Sequence, residues 1–117
     1  MALRRGADLF DSGEFWEAHE AWEQAWLEEE GETRLFLQGL IQVAAGYHKA
    51  TVQLQPNGCV KLLRNGLDKL ERLPAEFLGL SLARFVPEVV RSLAEARRWQ
   101  SGELASFPRD SIPKLHL

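Results

Sequence analysis

The chain has 117 residues, of which 45% are hydrophobic and 26% charged, and its net charge is −3. That length and balance fit one globular domain with a real core and exclude a disordered chain. No basic run interleaves with aromatics, so nucleic acid is not expected as a partner, and no apolar window approaches a membrane span.

The only cysteine, Cys59, excludes an internal disulfide and any C-x-x-C motif, and its apolar setting reads as a small core position. Arg4 and Arg5 are not followed by a long apolar stretch, so no signal peptide is expected and the expected location is the cytoplasm. Arginine outnumbers lysine ten to four, a thermophile-like composition.

The first predicted helix is Ala2 to Phe10, with Leu3, Ala7 and Phe10 on one side. Gly13 supplies a left-handed turn, and Asp11 with Glu14 has capping-box spacing. The segment from Glu14 to Glu28 reads as the central helix. At roughly 100° per residue, Phe15, Ala18, His19, Trp22, Ala25 and Trp26 share one face. Trp16, Glu20, Glu23 and Leu27 form a flank of it, and Glu17, Gln24 and Glu28 lie opposite. Gly31 is the expected stop.

Leu35 to Leu54 is the helix expected to be most buried, with a broad apolar arc that includes His48 and a narrow stripe of Gln38, Gln42, Lys49 and Gln53. Its Gly39, Ala44, Ala45 and Gly46 are small enough for close helix approach. Gln55 to Gly58 is a predicted turn. Cys59, Leu62, Leu63, Gly66, Leu67 and Leu70 mark a further helix, ending at Leu73-Pro74. An irregular connector from Ala75 to Leu82 offers Ser81 as an N-cap. The last helix runs to about Gln100, with Pro87 at a kink or in its true first turn. Arg84, Arg91, Arg97 and Arg98 give it a basic stripe. No segment has strand period. The expected architecture is an all-α bundle of four to five helices over residues 1–102, with an extended tail over 103–117 packed through Phe107, Ile112 and Leu115.

Two features bear on chemistry. His19 sits in an apolar face one turn before Glu23, and His19-Glu20-Ala21-Trp22-Glu23 is an H-E-x-x-E string. In H-E-x-x-H helices the first and last residues bind zinc, but here the last would be Glu. The plainer reading is a His–carboxylate hydrogen bond in a core. His48 also turns toward the core, and antiparallel packing would let it face His19 with Glu20 and Glu23 nearby.

Three stretches, taken together, resemble a known family: Leu9-Phe10-x-x-Gly13-x-Phe15-Trp16-Glu17-Ala18-His19-Glu20-x-x-Glu23-x-x-Trp26, then Phe36-Leu37-Gln38-Gly39-Leu40-Ile41-Gln42-x-Ala44-Ala45-x-x-His48, then Gly58-x-x-x-Leu62-Leu63. This is similar to the bacterial and plastid domain-of-unknown-function 309 family. The resemblance implies a small all-helical domain with signature residues Glu17, Ala18, His19, Glu20, Trp26, Gln38, Gly39, Gln42 and His48, and it implies no activity.

Two functions follow as expectations. One is a non-catalytic domain that binds a protein or itself, with Glu17, His19, Glu20, Glu23, Trp26, Gln38, Gln42 and His48 as candidate binding residues and no cofactor. The other is a small His/Glu hydrolase, in which His19, Glu20 and His48 are catalytic candidates. A divalent metal, if used, would fall to His19, Glu23 and His48.

Overall fold

A chain with several wide apolar helical faces must cover each with another helix. The computed structural model, which describes residues 2–117, shows five helices doing so, and Met1 of the expected 1–102 domain lies outside the described residues. They are α1 (Ala2–Asp11), α2 (Phe15–Trp26), α3 (Gly31–Thr51), α4 (Pro56–Leu70) and α5 (Leu82–Gln100). The protein is an all-α bundle, and α3 packs against both α2 and α4.

Several boundaries differ from the periodicity reading, among them the ends of α2, at Trp26 rather than Glu28, and of α3, at Thr51 rather than Leu54. Helix α3 starts at Gly31, not Leu35. Gly31 has a left-handed φ of 62° and opens α3; it is not the stop of α2, which ends at Trp26 with Leu27 as its C-cap. The polar turn Glu32-Thr33-Arg34 is helical but carries no apolar signal. Helix α4 starts at Pro56 rather than Cys59, because proline at the first helical position loses only an N–H that has no helical partner. Pro87 falls inside α5, past its first turn, where it leaves the Ala83 carbonyl without the usual partner. Ser81 is the N-cap of α5, its hydroxyl accepting from the Arg84 N–H at 3.3 Å.

The connector before α5 is not irregular but holds two strands, β1 (Glu76–Phe77) and β2 (Leu80–Ser81), too short to show a strand period. They pair antiparallel, Phe77 opposite Leu80, around a two-residue turn. Leu78 and Gly79 both have positive φ (49° and 86°), as a twisted two-residue hairpin requires.

Phe10 is the hub of the core. Its ring centroid lies 5.1 Å from Phe15, 5.8 Å from Tyr47, and 6.0 Å from both Trp22 and Phe85. Trp22 is fully buried and its indole N–H donates to the Leu3 carbonyl at 3.1 Å. Gly6 lies directly under that ring. Helices α3 and α4 approach closely through Gly39 and Gly66: a Cβ on Gly66 would sit 2.8 Å from the Gly39 carbonyl oxygen.

The tail crosses the bundle through buried Phe107 and Leu115 and half-buried Ile112, with a 3-10 turn at Arg109–Ser111. Ser92 donates from Oγ to the Ser111 carbonyl at 2.8 Å, and Arg109 donates to the Thr51 carbonyl at 2.7 Å. Asp11 is not a helix cap. The α2 N-cap is Glu14, without a side-chain cap bond, and the Asp11 carboxylate instead accepts from the Leu115 N–H at 2.6 Å and the His116 N–H at 3.0 Å.

Candidate functional site

The site is built on the seam between α2 and α3. Trp16 touches His48 and Trp26 touches Arg34, so the two helices run antiparallel. His19 lies one turn along α2 from Trp16, and Glu23 one turn further. The His19 and Trp16 rings stack at 4.7 Å between centroids and 12° between planes. The His48 ring lies 5.2 Å from the same indole, tilted by 39°. The two histidines therefore meet around Trp16 at the edge of the bundle and do not face each other across its core. Both are only half-buried, because the core side of the seam is filled by Phe15, Ala18 and Trp22.

His19 Nε2 lies 3.5 Å from Glu23 Oε2, the expected pair. Its Nδ1 is buried without a hydrogen-bond partner in the fold. At the other end of the seam the Arg34 guanidinium lies 3.9 Å over the Trp26 ring and donates to the Trp26 carbonyl. The Trp26 indole N–H is also buried and unpartnered.

The remaining sequence candidates lie elsewhere. Glu17 and Glu20 border an open cleft shared with Ala2, Arg5 and Leu9 of α1. Gln42 lies between Gly39 and Gly46 on the α3 surface that meets α4, since both glycines touch α4 side chains. Its Oε1 is buried and unpartnered. Gln38, one turn before it, is half-buried. Of the candidates, then, the fold pairs His19 with Glu23 and sets His19 and His48 against the one indole of Trp16, with Trp26 further along the seam.

Trp16 and Arg34 were not among the candidate site residues. By periodicity Trp16 lies on a flank of α2, and its spacing of three from His19 is the signal that it stacks there. Arg34 lay in the turn not recognised as helical. Trp16 stays 43% exposed despite its two imidazole contacts, and exposed Val52 joins it and His48 along a groove of about 460 Å³.

Charge is unevenly divided, although seven of the seventeen carboxylates lie among the later basic residues. Residues 6–33 contain ten carboxylates and no lysine or arginine, and the other twelve basic residues besides Arg4 and Arg5 all follow them. The deep core is neutral: burial pushes the Cys59 thiol up to about 12 and the Tyr47 hydroxyl far above its ordinary range. Among the described residues, no three His, Cys, Asp or Glu side chains converge as a metal would need, and no helix is long and apolar enough to cross a membrane.

The family described as "Domain of unknown function (DUF309)" matches residues 3–62, a span that includes the whole α2–α3 seam. Among curated proteins no match is found.

Proposed function

We propose that this chain, which belongs to the DUF309 family, acts without catalysis, by self-association through the outer stripe of α2. The observation that carries the reading is Trp16. An indole 43% exposed, yet held by His19 on one side and touched by His48, is a rigid anchor that loses little freedom on docking. It is flanked by exposed Glu20 and Glu23 and followed along the same stripe by Leu27, 62% exposed. The His19–Glu23 contact then has a positioning role, fixing the imidazole that fixes the indole. The division of charge within the chain favours a second copy as the partner, because an acidic surface of one copy attracts a basic surface of another.

The test is sedimentation velocity of the untagged protein over a range of concentrations, beside Trp16→Ala. The reading expects a concentration-dependent mass for the wild type. Loss of a buried anchor tryptophan weakens association by about thirtyfold or more, with helical circular dichroism unchanged. A wild type that stays monomeric throughout refutes self-association.

A second reading, the His/Glu hydrolase, draws on the buried unpartnered His19 Nδ1, which a metal or a substrate proton would satisfy. Elemental analysis separates the two: stoichiometric metal that is lost in His19→Ala would favour the hydrolase.

A further inference from the structure

The second copy must offer α2 a surface, and one on this same chain matches it residue by residue. Along α2, Trp16, Glu20, Glu23 and Leu27 follow one another at steps of four, three and four, and all are exposed. Along α5, Pro87, Arg91, Ala94 and Arg98 repeat the same steps, and all are exposed too. Each stripe extends about 16 Å at 1.5 Å per residue. On α5 the stripe is flanked by Val90, 46% exposed, and by exposed Ala83 and Arg97. Along the stripe Pro87 and Ala94, which are small, alternate with the two arginines.

The chemistry also agrees. Beside the start of the α5 stripe is a groove of about 260 Å³, bordered by Leu73, Pro74, Leu82, Ala83, Val86 and Pro87. Glu71 also lines it, but its walls are mostly apolar and suit an indole. Arg98 is paired with Glu95 and Glu103 within its own chain. Arg91 and Arg97 are in no ion pair among the described residues, and neither is Glu20.

We infer that copies of this chain assemble head to tail, α2 of one lying parallel to α5 of the next, with Trp16 in the groove at Pro87 and Glu20 opposite Arg91. In this register Glu23 falls at Ala94, within a turn of Arg97, and Leu27 packs on the aliphatic stem of Arg98. The inference rests on the self-association reading and adds to it the partner surface and the register. The contact joins two different faces, so it repeats into a closed ring or an open chain and does not end at a two-fold dimer.

The experiment uses charge reversal on each face. Glu20→Lys with Glu23→Lys reverses the acidic stripe, and Arg91→Glu with Arg97→Glu reverses the basic one. All four changes exchange good helix formers. By sedimentation velocity, each variant alone meets like charge and should associate at least about tenfold more weakly than the wild type. An equimolar mixture offers each reversed face a complementary one, so assembly should return. Full association by the basic-face variant alone overturns the inference, because α5 would then not be the partner surface. A mixture that stays dissociated overturns it as well. In both cases an associating wild type leaves the self-association reading intact, whereas a monomeric wild type removes both. Should either double variant lose helical circular dichroism, Glu20→Gln and Arg91→Gln replace the pair, and each is expected to weaken assembly severalfold; no change in either refutes the register.

Discussion

Replacing Gly66 by alanine tests the close backbone contact between α3 and α4. The new Cβ would lie 2.7 Å from Val43 Cγ2, 2.8 Å from the Gly39 carbonyl oxygen and 3.1 Å from the Val43 nitrogen. Two of those neighbours are backbone atoms of α3, so relief requires the two helices to move apart. Overpacking of this kind costs about 1–3 kcal/mol, and a backbone clash puts it near the upper end. Alanine returns about 1 kcal/mol through its better helix propensity. The net expectation is a loss of about 2 kcal/mol, or roughly 8 °C in melting temperature. Gly58→Ala is the control, because its Cβ would meet only Lys49 side-chain carbons at 3.0 to 3.4 Å, and these can swing away. It should be neutral or stabilising by up to about 1 kcal/mol. Urea unfolding of both variants measures the difference, with an unchanged m-value as the check on two-state behaviour. A Gly66→Ala protein as stable as the wild type would refute the reasoning, and so would equal losses at both sites.

Three further outcomes follow from other parts of the molecule. Asp11→Ala removes a carboxylate that accepts two tail amides; it should cost about 1.5–3 kcal/mol, and hydrogen exchange should show protection lost at Leu115 and His116. Leu54, just past the end of α3 and its C-cap Val52, lies in the left-handed region at φ 54° with its side chain exposed, so Leu54→Gly should gain about 1 kcal/mol in thermal unfolding, and a loss would mean that the leucine makes a contact worth more than its strain. Cys59 has its pKa raised from 9.0 to about 12. Its neutral form is therefore favoured by folding, and that stability is fully present below pH 9 and lost as the pH rises toward 12. Unfolding free energy should fall above pH 9 by up to about 1.4 kcal/mol per pH unit, and Cys59→Ala should flatten that slope; an unchanged slope would show that Tyr47 alone governs it.

The helices were legible because each buries one face, and a one-sided pattern survives in the sequence. The same is true of Ser81, whose capping chemistry is local, and of Gly39 and Gly46, whose small size in a buried helix needed a neighbour to explain it. The first turn of α3 was not legible, since polar residues form helix there without facing the core. The β1–β2 hairpin is too short to show a period. At the site, His19–Glu23 was readable as an i, i+4 pair within one helix. The gathering of both histidines around Trp16 was not, because it depends on how far α2 and α3 are rotated toward each other. The same rotation carries Glu17 and Glu20 toward α1 and leaves Gln42 beside α4, although antiparallel packing alone would let Glu20 sit near the two histidines.

The fork between Asp11 and the amides of Leu115 and His116 also orders events in time. The two bonds close loops of 104 and 105 residues, nearly the full separation this chain allows. At a synthesis rate of about 5–20 residues per second, α1 waits several seconds for the strap that holds its end. Helices α1 to α4 carry the hub at Phe10 and can collapse before then through near-neighbour contacts. The fork raises the contact order of an otherwise locally connected bundle, so the last native contacts to form are those that fasten its first helix.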